Sequence, residues 1–202
     1  MAETELLQMQ ARGEDSRQQF KRDATNADGL AAELAAFANS GGGKLLLGVA
    51  DNGTIAGLDA AAVRRLNQLV SNTASQHVRP PLTPVSHNVQ ASQGVAMVVT
   101  VPDGLNKPYM DLLGRVWVKS GADKRHVTSR EEMLRMFQRA GLLQADQVPV
   151  RDATLGEIDE RGLARYFERR YGQSMEQAGL PLAQLMENLQ LAQDGTPNLA
   201  GL

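Results

Sequence analysis

The segment Leu30 to Leu58, LAAELAAFANSGGGKLLLGVADNGTIAGL, constrains the fold more than any other part of the chain. Leu30, Leu34, Phe37 and Ala38 recur at the spacing of one helix face, and Asn26 or Asp28 can cap the helix start. Gly41 to Gly43 stop that helix. Leu45, Leu46, Leu47 and Val49 follow as an apolar run too short for a helix here and suited to a strand buried on both faces. Asp51, Asn52 and Gly53 then predict a tight turn, with Thr54 to Ala56 as the return strand. Helix, glycine stop, buried strand and turn in close succession predict an α/β (α+β) domain, a mixed twisted sheet with flanking helices.

The flanking sequence extends this pattern. Residues 3–11 read as a helix and RQQFKR as a strand; Asp59 caps a helix running to about Gln76, which Pro80, Pro81 and Pro84 close. Val85 to Gln90 and Val95 to Val101 read as strands, and Lys107 to Lys119 as a hairpin turning at Leu113 and Gly114. Thr128 to Arg139 is a helix opened by Thr128 with Glu131 and Ser129 with Glu132, both at capping-box spacing. Residues 141–156 read as a linker. Residues 157–202 carry helical apolar spacing at Leu163, Tyr166 and Phe167 and at Leu182, Leu185, Met186 and Leu189. They end in an Asp194–Gly195 turn between short apolar runs, which predicts a small, winged-helix-like tail and the start of a further domain in a longer polypeptide. The domain expectation is therefore 1–140, 141–156 and 157–202.

Composition narrows function mainly by exclusion. There is no cysteine, so disulfides, thiolate-bound zinc and a cysteine nucleophile are ruled out. His77, His87 and His126 lack metal-ligand spacing, and no G-x-S-x-G motif occurs, so no protein-held metal or Ser/His/Asp chemistry is expected. The first residues, MAETELLQMQ, contain no apolar run, and no stretch reaches the ~18 apolar residues of a membrane span, which predicts a cytoplasmic protein. Net charge is −2, unevenly spread: residues 1–139 hold 16 basic and 14 acidic side chains, and residues 140–202 hold 5 and 9.

Three groups of residues bear on chemistry. Gly41 to Gly43 with Lys44 sit between a helix and a strand, the reverse of the strand–loop–helix order a phosphate loop requires, so helix capping is the expected role. Glu14, Asp15, Asp23 and Asp51 are the carboxylates from which a divalent-metal site would have to be drawn, but the expected account from the residues alone is that Asp51 opens a turn and Glu14 is solvated. Arg115, Trp117 and Lys119 alternate along one expected strand, GADKR follows as an expected polar loop, and Lys107 and Tyr109 lie on the expected partner strand. Together with Lys21, Arg22, Lys124 and Arg125 they form a candidate nucleic-acid-binding face, the cations for phosphates and Trp117 and Tyr109 for stacking.

The runs GEDSRQQFK, AAFANSGGGKLLLGVADNGTIAGL, NKPYM and RVWVKSGADKRHVTSREEMLRMF, in this order over residues 12–140, resemble the Schlafen AlbA-like (divergent AAA-4) domain of prokaryotic transcriptional regulators and animal Schlafen proteins. ATLGEIDERGLARYF and LMENLQLAQDGTPNLAGL are similar to the segment that follows this domain in the regulators. The resemblance implies DNA binding in a transcriptional regulator. Alternatively it implies a ribonuclease using three carboxylates and Mg²⁺ or Mn²⁺. Position by position, two of those carboxylates fall on Glu14 and Asp51 and the third on Gln19, an amide that brings no negative charge to a metal. The expected function is thus non-catalytic binding of nucleic acid, DNA first, without a cofactor; a metal-dependent ribonuclease and a homo-oligomeric assembly domain are the alternatives.

Overall fold

The computed structural model describes residues 3–142 and 145–202, which divide into two compact units, 1–140 and 141–202. In the first unit four strands form a mixed sheet in the order β1 (Gln18–Lys21), β2 (Gly43–Leu47), β5 (Gly94–Val101), β4 (Val85–Ala91). β1 and β2 run parallel, with Phe20 opposite Leu46; the other pairs are antiparallel, with Leu46 opposite Val98. The mixed sheet with flanking helices agrees with the expected fold class.

Strand alternation divides β2 between two cores. Leu45 and Leu47 join Met97, Val99 and Val101 beneath α2 (Ala27–Asn39) and α3 (Ala60–Asn72), whereas Leu46 joins Ala96, Val98 and Phe20 beneath Leu6 and Met9 of α1 (Glu3–Arg12). A strand covered on both sides has no need of polar residues, which is why its sequence reads as an unbroken apolar run. α2 is buried continuously from Leu30 to Ala38, its alanines allowing close approach to its neighbours, and Glu33 is the one charged residue in that stretch.

The Asn26 side chain accepts the Asp28 and Gly29 amides at the start of α2. At its end the Ser40 and Gly42 amides both return to the Phe37 carbonyl, and Gly41 and Gly42 take positive φ angles of 94° and 80°. A side chain on Gly42 would collide with the Val101 carbonyl, so the glycines serve a helix stop and a close approach to β5.

Three local expectations change. Residues 54–56 form no strand: a single bridge joins Val49 and Ile55 around the 51–53 turn. The expected 107–119 hairpin is reduced to the two-residue β6 (Met110–Asp111), bridged from Met110 to Val116 and paired with β3 (Val78–Arg79). The segment expected as a polar loop is instead β8 (Asp123–His126), pairing with β7 (Trp117–Ser120) across Gly121, whose φ of 64° permits the tight turn. Val118 on one face of this hairpin packs with Val116, Val127, Met133 and Met136, the last two from α4 (Arg130–Arg139), which Ser129 caps through the Glu132 amide.

The second unit holds α5 (Glu160–Tyr171), α6 (Met175–Ala178), α7 (Leu182–Asn188) and a small hairpin of β9 (Ala192–Gln193) and β10 (Thr196–Pro197) around Leu163, Phe167, Leu185, Met186 and Ala192. Pro149 bridges to Asn198 and the Val150 amide donates to Pro197, so part of the segment expected as a linker belongs to this unit. Among the described residues no helix is long and apolar enough to cross a membrane.

Candidate nucleic-acid interface

The expected carboxylate site is built around the free edge of β1. As an edge strand, β1 leaves the Phe20 amide without a strand partner, and Glu14 supplies one: its Oε1 accepts Phe20 N–H at 2.7 Å and Gln19 Nε2 at 2.6 Å. Gln19 Oε1 in turn accepts from Lys119 Nζ at 2.7 Å. Asp51 is exposed in the turn after β2, and Asp23 is engaged by Arg65. Asp15 accepts the Arg17 amide. Among the described residues no group of three His, Cys, Asp or Glu side chains is placed to hold a metal. A divalent cation asks for converging anionic oxygens, and here the third position is an amide oxygen already serving an ammonium. The residues present do not fit the metal that the nuclease alternative implies.

Lys119 continues the chain of contacts inward. Its Nζ also donates to Glu33 Oε1 at 3.1 Å and to the Ala122 carbonyl at 2.6 Å, and it lies 4.8 Å from the centre of the Phe37 ring. Lys124, directly opposite on β8, reaches Glu33 Oε2 at 2.8 Å. The Lys119 and Glu33 side chains are 1% and 2% exposed, so the lysine expected to contact phosphate is instead the counter-ion of a buried carboxylate. Burial pushes the Glu33 carboxyl up; the hydrogen bond and charge of Lys124, joined by Lys119, outweigh it and hold the group below its usual range.

Tyr109 is likewise buried, its ring against Gly104 and its backbone clasped by Asn39, which accepts Tyr109 N–H and donates to the Tyr109 and Trp117 carbonyls. Ser40 Oγ accepts the Lys119 amide. Asn39 and Ser40 thus anchor β6 and β7 to the end of α2, and Tyr109 offers no exposed ring for stacking.

The other expected cations are mostly paired. Arg125 meets Glu132 and Lys107 meets Asp103, both at 2.5 Å, and Arg115 Nε meets Asp111 Oδ2 at 2.7 Å. Asp111 organises the turn before β7: it accepts the Leu113 and Arg115 amides, Arg115 Nε and the Trp117 indole N–H. Burial would raise its carboxyl, but those hydrogen bonds, that of Trp117 foremost, hold it low. Trp117 is thereby fixed half-buried, with the Arg115 guanidinium 5.2 Å from its ring centre. Exposed His126, its cross-strand partner, lies 5.5 Å from it on the other strand. Lys124 and Lys21 line one cleft of about 240 Å³ beside Asn26 and Gly29 at the start of α2, and Lys21 and exposed Arg22 have no ion pair among the described residues.

Glu33 and Asp111 were not among the residues expected here, and His126 was expected only as an isolated histidine. Glu33 had a signal: a single charge amid apolar residues and alanines on every face of a helix must be paired. The role of Asp111 rests on the turn it closes before β7, and that of His126 on the β7–β8 register that sets it opposite Trp117.

Sixteen chains among the solved structures match this one, and two of them differ in how much of it they cover. One is the DIP2311 protein from Corynebacterium diphtheriae, at 23% identity and a TM-score of 0.48, covering 98% of this chain and 38% of that one. This chain therefore spans well under half of that protein. The other is the N-terminal domain of an ATP-dependent DNA helicase RecG-related protein from Nitrosomonas europaea, at 23% identity and a TM-score of 0.41, covering 64% of this chain and 96% of that domain. No match is found among curated proteins. The family model described as "Schlafen, AlbA_2" matches residues 14–128, more than half of the sequence, and the chain belongs to that family.

Proposed function

We propose that this chain is a non-catalytic nucleic-acid-binding module of a cytoplasmic transcriptional regulator, with DNA the expected partner, and that the β7–β8 hairpin and the adjoining end of β1 form its contact surface. The carrying observation is the Arg115–Trp117–His126 stack: a half-buried indole, its N–H fixed by Asp111, flanked by a guanidinium and an exposed imidazole. A ring held in this way can stack with a base at little ordering cost, and such stacking is worth about 1–3 kcal/mol per base. Lys21, Arg22 and the partly exposed Lys124 supply phosphate contacts beside it. Membership of the Schlafen AlbA_2 family is consistent with work on nucleic acid.

Filter binding at low salt to single- and double-stranded DNA and RNA tests the reading. Affinity for at least one, weakened in Trp117→Ala, is expected; no affinity for any would end it. The metal-nuclease alternative is not favoured, because Gln19 stands where the resemblance implies a carboxylate and its amide oxygen already accepts from Lys119.

A further inference from the structure

We infer that the cleft at the glycine end of the sheet, remote in the strand direction from the Asp51 turn, is a phosphoryl-binding site. This cleft, of about 360 Å³, lies where β2 begins and is lined by Arg12, Arg17, Lys44, the backbone of Gly41 to Gly43, and the carboxylates of Asp15 and Asp103. The two acids are occupied: Asp15 accepts the Arg17 amide at 2.6 Å, and Asp103 pairs with Lys107. Of the cations, the Arg12 and Lys44 side chains have no hydrogen-bond or ion-pair partner among the described residues, and with Asp103 paired to Lys107 the three lining cations outnumber the one remaining carboxylate, Asp15, so the cleft is net positive.

Arg17 is positioned. Its Nη1 donates to the Gly41 and Gly42 carbonyls, and a side chain on Gly41 would strike the guanidinium, so the glycine run is shaped to seat it. That leaves Nε and Nη2, two donors of a planar fork, without a protein partner. One arginine satisfies a single carboxylate; two arginines and a lysine around one cleft match a group with several charged oxygens, a phosphoryl group. The group can come from a free phosphoester, a 5′-terminal phosphate or an internal phosphodiester, and the site stands apart from the hairpin reading.

Calorimetry of the full chain with inorganic pyrophosphate tests it, comparing wild type with the double substitution Arg12→Gln and Lys44→Gln; both positions lie outside the cores, and Arg17 is left in place to preserve the loop. Wild type should bind, and the double variant should lose about tenfold or more, the scale of lost charge-assisted hydrogen bonds. Short oligonucleotides with and without a 5′-phosphate identify the source. A 5′-phosphate preference abolished in the variant indicates a terminal phosphate, an equal loss for both indicates phosphodiesters, and an effect on neither leaves free phosphoesters. Trp117→Ala should leave pyrophosphate affinity unchanged, which separates this site from the hairpin. No pyrophosphate binding by wild type, or equal binding by the double variant, overturns the inference.

Discussion

Lys119 Nζ stands 2.7 Å from Gln19 Oε1, so the position that the family resemblance assigns to a third carboxylate holds an amide that bridges an ammonium to Glu14. The amide gives each neighbour what it needs, an acceptor for Lys119 and a donor for Glu14. A carboxylate there would keep the first contact and turn the second into repulsion.

Gln19→Glu should therefore destabilise the first unit at neutral pH by about 1–3 kcal/mol, the usual cost of a lost partner at a partly buried group. The loss should shrink on acidification, as the new carboxyl takes up a proton and regains a donor. Urea midpoints followed by the fluorescence of Trp117, the only tryptophan, measure it. A variant as stable as wild type at neutral pH would show that the bridge carries no weight.

Lys119→Met keeps the aliphatic length over Phe37 and removes the ammonium, leaving Glu33 with Lys124 alone. Removing one partner of a buried ion pair costs about 3–5 kcal/mol. Lys124→Met should cost less, because that lysine is 27% exposed and Lys119 still covers Glu33. Equal losses would contradict the ranking.

How much of this was legible in the sequence depended on the range of the interactions. The run from Leu30 to Gly53 was readable because capping, glycine stop, apolar strand and turn are local signals, although the expected return strand at 54–56 did not form. The β7–β8 hairpin was not, because DKRH carries no apolar alternation: one of its faces is occupied by a lysine that pairs with Glu33, ninety-one residues away in sequence. The same long-range pairing took Lys119 out of the candidate interface. The Glu14 and Gln19 spacing was legible through resemblance, but the Lys119 contact that explains Gln19 was not.

Stability against pH should show the mark of Glu33. Its folded pKa lies below the usual 4.5, so the carboxylate binds protons less readily when folded. The linked stabilisation is present above about pH 4.5 and is lost as pH falls through the folded value, where the unfolded chain has already taken up its proton. Urea midpoints should be level above about pH 5.5 and decline below the usual carboxylate range. Glu33→Gln should be less stable at neutral pH and decline less steeply; an unchanged acid limb would remove Glu33 as its source.

Asp111→Asn should weaken nucleic-acid binding without touching the ligand. It leaves one oxygen for the four donors that Asp111 now receives and frees the Trp117 ring from its orientation. Affinity should fall by less than in Trp117→Ala, with an altered near-ultraviolet signal from Trp117 as the structural readout. A loss of affinity with an unchanged signal would deny the positioning role.

The measurement closest to the central claim is the anisotropy of a labelled single-stranded oligonucleotide titrated with wild type and Trp117→Ala over a range of salt. With Lys119, Arg115, Arg125 and Lys107 paired internally, few cations remain for phosphates. At about −0.7 in log–log slope per single-strand contact, affinity should fall with a slope of roughly −1 to −3, shallow for a nucleic-acid binder. Trp117→Ala should lose about tenfold at every salt concentration, in keeping with about 1–3 kcal/mol for a stacked base, with its slope unchanged. Binding that survives the loss of Trp117 undiminished, or no binding at low salt to either DNA or RNA, would contradict the account.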